Sequence, residues 1–112
     1  MRYMILIHRR PNFWNSLPER ERGDLSAAYM TYANAVREAG VLVAADQLQP
    51  AATAKVVSEN QVVDGPYADT KEELGGYFLI EVPSEADALF WAQRCPGARH
   101  GDGVELRPVV QR

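Results

Sequence analysis

The chain has 112 residues, 46% of them hydrophobic, enough for one core over residues 1–112 and too few for a second domain. Twelve basic against fifteen acidic side chains give a net charge of -3 with no long run of one sign, which excludes direct nucleic-acid binding through a strongly basic face. Cys95 is alone, so neither an intrachain disulfide nor a CxxC or Cys/His zinc array is available, and the short apolar run Met4–Ile7 ends at His8-Arg9-Arg10-Pro11. The expectation is a cytoplasmic protein with no membrane segment, no metal and no cofactor.

Tyr3 to Ile7 reads as a short central strand, apolar on both faces. Arg9 to Pro18 reads as a loop carrying Phe13 and Trp14, with Arg9, Arg10, Arg20 and Arg22 as the one local basic cluster, a solvated or anion-facing feature. From Glu19 to Ala39, Leu25, Ala28, Tyr29, Tyr32, Ala33 and Val36 recur at helical spacing, and Gly40 stops the helix. Val41 to Leu48 predicts a strand. Thr53 to Glu59 and Gln61 to Val63 predict a hairpin bent at Glu59-Asn60. Gly76 to Val82 alternates cleanly, with Phe78, Ile80 and Val82 on one face, before Pro83 closes it. Ser84 and Asp87 cap a helix running to about Cys95, which Pro96-Gly97 ends. Val104 to Val110 is the last strand, at a sheet edge because Pro108 lacks a backbone donor.

The order is a split βαβ pattern: a ferredoxin-like α+β domain with a mainly antiparallel sheet. Its helices cover one sheet face, while apolar residues of the first and fourth strands remain on the other. A homodimer closing two sheets into a dimeric α/β barrel follows, with a ligand pocket between the sheets or under the Asp64 loop.

That loop concentrates the chemistry. Asp64-Gly65-Pro66-Tyr67 joins a carboxylate, a residue free to take positive φ and a ring that fixes the next φ, so Asp64 is held in place as a proton acceptor, ligand hook or turn former. Lys71, Glu72 and Glu73 form a solvated turn or a lid, and Gly75-Gly76 a hinge or a strand-entry bend. His8 shares a strand face with Met4 and Leu6, near the covered sheet face, as a structural histidine or an acid/base. Glu105 and Arg107 share a face of the last strand, where they line the pocket or pair with each other; an Arg there favours a small organic acid. Tyr29, Tyr32, Phe90 and Trp91 read as core or interface rings, and Cys95 as a buried, inert thiol. No GxGxxG, P-loop, GxSxG or HExxH occurs.

Taken together, Asp64-Gly65-Pro66-Tyr67, Lys71-Glu72, Leu74-Gly75-Gly76-Tyr77-Phe78, Trp91-Ala92, Pro96 and Val104-Glu105-Leu106-Arg107-Pro108 resemble the DGPF branch of the YCII-related family, with Tyr67 in place of Phe. The resemblance implies a dimeric α/β barrel, similar in fold to muconolactone isomerase and small monooxygenases, and an association of bacterial members with extracytoplasmic-function sigma factors. It also implies a His–Asp pair in a cleft. Asp64 matches the carboxylate, while the helix that carries the family's histidine has Tyr29 and Tyr32, which leaves His8 as the histidine to test. The functional expectation is a small-molecule binding protein or a cofactor-independent hydrolase, isomerase or lyase, with Asp64 and His8 catalytic and Tyr67, Lys71, Glu105 and Arg107 binding ligand. The alternative is a non-enzymatic accessory module of a sigma factor.

Overall fold

The computed structural model describes residues 1–66, 72–100 and 103–112. Strand β1 (Arg2–Arg9) leads through a single-turn helix α1 (Phe13–Ser16) to the long helix α2 (Glu19–Glu38) and strand β2 (Leu42–Gln47). A hairpin of β3 (Lys55–Ser58) and β4 (Gln61–Asp64) follows, then β5 (Glu73–Glu81), helices α3 (Glu85–Arg94) and α4 (Pro96–His100), and β6 (Val104–Pro108). The main sheet has the order β2-β5-β1-β6 with every neighbour antiparallel, the split βαβ arrangement expected; β3 and β4 form a separate two-stranded sheet. Pro108 sits on the edge strand, where its missing donor leaves no ladder bond unmade.

Alternation decides which face is buried. Tyr3, Ile5 and Ile7 of β1 and Phe78 and Ile80 of β5, with Val82 just beyond it, point to the helices, where they meet Tyr32 and Val36 of α2 and Ala88 and Ala92 of α3. The two alanines let α3 approach closely. Tyr32 packs edge-on against Phe78 with ring centroids 5.0 Å apart, a favoured aromatic geometry. Cys95 lies fully buried in this core. Gly40 ends α2 at φ 77°, and Ser84 caps α3 by accepting from the Asp87 backbone N–H.

At three places the structure departs from the sequence expectation. The loop after β1 winds into α1, because Phe13 turns inward and is buried. Pro96-Gly97 opens α4 rather than only ending α3, since proline fits a first helical turn that needs no N–H. Gly65 is not at positive φ; a Cβ there would lie 3.1 Å from that of Ala54, so it is close approach of the two hairpin ends that favours glycine.

Among the described residues no second layer covers the opposite sheet face. The molecule is a slab of 43 × 41 × 19 Å, and its radius of gyration of 15.2 Å exceeds the ~13 Å of a compact chain near this length. Met4, Leu6 and Leu79 lie on this open face, bordered by Arg2, Glu81, Glu105 and Arg107. No helix among the described residues is long and apolar enough to cross a membrane.

Candidate functional site

The strand ends that carry β1 out of the sheet and bring β5 into it form the floor of a cleft of about 960 Å³. Its walls are His8 and Arg9 from β1, Phe13 and Trp14 from α1, the segment from Gln47 to Ala54, Gly65 and Pro66, and Glu72 to Gly75. A second cleft of about 660 Å³ lies on the helix side of the same strand ends and shares Arg9, Trp14, Gln47 and Gly75 with the first. Both volumes fall within the range of small-molecule sites.

His8 reaches the first cleft because the β1–β5 register slips there: Ile7 pairs with Gly76 and His8 with Leu74, leaving Gly75 as the extra residue of a bulge. Tyr3, Ile5 and Ile7 take the helix side, so His8 lies with Met4 and Leu6 on the open face rather than near the covered one. Its ring Nε2 is 3.1 Å from Glu105 Oε1. The other carboxylate oxygen, Oε2, accepts from Arg107 Nε at 2.9 Å and from Arg107 Nη2. Register builds this chain: Leu6 pairs with Glu105 and Met4 with Arg107, so the three polar side chains project from one face within reach of one another. The Arg107 hydrogen bonds, and after them that of His8, hold the Glu105 carboxyl below its ordinary range and therefore ionised. A carboxylate fixed by Arg and hydrogen-bonded to a cleft histidine holds the orientation of that ring.

Asp64 stands elsewhere. It ends β4, its side chain 85% exposed, and pairs with Lys55, its cross-strand partner in the hairpin. The cleft wall takes in Gly65 and Pro66 next to it, while the residues around the His8 ring supply Glu105 as its carboxylate. Tyr67 and Lys71 lie outside the described residues. Gly75 and Gly76 sit inside β5, where a Cβ on Gly75 would fall 2.2 Å from Arg9 Nε and one on Gly76 2.9 Å from the Asp46 carbonyl oxygen. Neither is a strand-entry bend; both allow close approach.

Burial pushes the Tyr29 hydroxyl up to about 12 and the Cys95 thiol up to about 11, so both stay protonated near neutrality. Among the described residues no three His, Cys, Asp or Glu side chains gather as a metal site. The sequence reading missed Arg9 as a cleft residue and the His8–Glu105 pairing. The adjacent glycines at 75 and 76 were the only local sign that something packs against β5.

An antiparallel sheet with helices on one face, and a cleft at its strand ends, is the frame of a mixed α/β small-domain family. The chain belongs to the YCII-related domain family, whose model matches residues 1–111. An uncharacterized protein of Rhizobium meliloti (strain 1021) is 38% identical over 97 residues, which span 82% of this chain and 75% of that protein. Among solved structures, the 5-chloro-2-hydroxyhydroquinone dehydrochlorinase of Burkholderia phenoliruptrix AC1100, in complex with 2,5-dihydroxybenzoquinone, superposes with a TM-score of 0.61 over 100% of this chain and 96% of that one. At 14% identity the likeness is one of fold.

Proposed function

We propose that the protein binds a small organic molecule in the cleft at the strand ends and acts on it by cofactor-independent acid–base chemistry, with His8 as the proton acceptor or donor. The observation that carries this reading is the chain Arg107–Glu105–His8, a cleft histidine held by a carboxylate that is itself held ionised. With its Nε2–H donated to Glu105, the imidazole keeps Nδ1 as an acceptor, the form a general base requires. The ionised carboxylate would stabilise the imidazolium formed when the ring takes a proton, as in other base–orienter pairs. The apolar wall from Phe13, Trp14 and Leu74 suits a ring-bearing substrate. Proton abstraction leading to elimination or isomerisation is the fitting reaction class. The dehydrochlorinase that shares the fold, and its bound dihydroxyquinone, lend support to a small oxygenated ring as substrate.

A second chain belongs to this proposal. The open face presents Met4, Leu6 and Leu79 inside a charged border, and a second copy laid across it would bury the apolar centre. The His8–Glu105–Arg107 chain lies on the same face, so pairing would remove it from bulk water and strengthen its electrostatics. Turnover of hydroxyquinols, halogenated hydroquinones and their ring-carboxylated analogues, followed optically, tests the chemistry: the reading predicts a substrate among them and loss of turnover in a folded His8→Gln variant. Turnover that persists in His8→Gln would overturn the role of His8. Sedimentation equilibrium tests the pairing, with twice the 12.5 kDa chain mass expected and a monomer at micromolar concentration contradicting it.

A further inference from the structure

Several arginines that could hold an anion are already engaged. Arg107 is held by Glu105, Arg37 donates to Asn34, Arg22 to the Leu17 carbonyl, Arg94 to the Phe90 carbonyl, and Arg2 faces Glu81. Arg9 has no carboxylate partner among the described residues, and Glu73, opposite it in the β1–β5 ladder, makes no ion pair with it. Its guanidinium lies against the bulged Gly75, where a Cβ would come within 2.2 Å of Nε and 2.7 Å of Cζ. The groups that feel its charge are the Tyr29 hydroxyl and the Cys95 thiol, whose pKa values it pulls down although burial leaves both raised and both groups neutral. Neither is a counter-ion.

Arg9 also occupies the point where the two clefts meet, beside Trp14 and Gly75, which both clefts share. A half-buried guanidinium with no anion beside it among the described residues, opening on two clefts with apolar walls, is placed to take a bidentate bond from an acidic ligand. We infer that Arg9 anchors the acidic group of a small carboxylate with an apolar, ring-bearing body, the planar fork taking the two carboxylate oxygens and the ring lying against Trp14. Arg favours carboxylate over a point anion because two parallel N–H···O bonds form at once. The inference rests on the reading of the cleft as a small-molecule site and adds its substrate class.

Benzoate, benzyl alcohol and inorganic phosphate are the probes, with binding read by amide chemical-shift titration on the wild type, Arg9→Met and Gly75→Ala. Gly75→Ala keeps the charge but its methyl occupies the place of the guanidinium. Alanine suits the backbone there, so the variant stays folded even where Arg9→Met does not. Benzoate is expected to bind the wild type and to bind both variants at least about tenfold more weakly, the size of one lost charged hydrogen bond. Equal benzoate affinity in all three proteins overturns Arg9 as the anchor while leaving the cleft as a binding site. Benzyl alcohol or phosphate binding as tightly as benzoate, or no benzoate binding at all, overturns the carboxylate class.

Discussion

Removing one oxygen from Tyr32 tests how α2 and α3 are locked together over the sheet. The last turn of α3 tightens so that the Cys95 N–H donates to the Ala92 carbonyl at 3.2 Å. This takes from the Trp91 carbonyl the donor that a regular helix would give it. The Tyr32 hydroxyl fills that vacancy at 2.7 Å. Tyr32→Phe keeps the ring, its edge-on contacts with Phe78 and Trp91 and the packing of the core, and strands a carbonyl within the helix layer. An acceptor left without a partner away from water costs about 1–3 kcal/mol, and the small relief of no longer burying a hydroxyl places the expected loss at about 1–2 kcal/mol. For a domain of this size that is a fall in melting midpoint of roughly 5–10 °C. Circular dichroism melts at neutral pH, backed by urea titration at constant slope, measure it. A midpoint within about 1 °C of the wild type would refute the assignment of this hydrogen bond as the lock between the helices.

Ser84→Ala removes the cap of α3 and should cost about 1 kcal/mol, read in the same melts, because the Asp87 N–H loses its acceptor. Alkaline stability should fall early: Cys95 and Tyr29 have folded pKa values above their ordinary 9.0 and 10.0, so the stability they contribute is complete below about pH 9 and is lost as pH rises toward about 11 to 12. Urea midpoints from pH 7 to 11 check this, and a flat profile contradicts it. The Glu105 pairing has the opposite sign, since its carboxyl pKa is lowered: it is intact above the ordinary 4.5 and lost as pH falls below it, followed through the carbon-13 resonance of the Glu105 side-chain carboxyl. Asp64→Asn should leave ligand affinity in the cleft unchanged and shift stability by no more than about 1 kcal/mol, because its exposed pair with Lys55 is worth little. Loss of binding in a folded Asp64→Asn protein would return Asp64 to the site.

Much of the fold was legible because it is written in local periods. The alternation from Gly76 to Val82, the helical recurrence of Leu25, Tyr32 and Val36, and Gly40 at the helix stop each specify an element without reference to distant chain. The site was less so. His8 and Glu105 are 97 residues apart, and their meeting depends on the β1–β6 register, which no local pattern carries. Arg9 over Gly75 depends on a one-residue bulge, and a glycine pair announces close approach without naming the side chain that approaches. Asp64-Gly65-Pro66 drew attention through its turn chemistry, yet its carboxylate points to Lys55, and it is Gly65 and Pro66 that border the cleft. The one-turn helix at Phe13 escaped because four residues are too few to show a period.

The cleft beside His8 is the proposed seat of a small oxygenated ring. Amide chemical-shift mapping with 2,5-dihydroxybenzoquinone, repeated on His8→Gln, tests it most directly. Saturable shifts concentrated at His8, Phe13, Trp14, Leu74 and Gly75, weakened in the variant, are expected. Shifts confined to the β3–β4 hairpin or the outer surface of α3, or none at millimolar ligand, would contradict it.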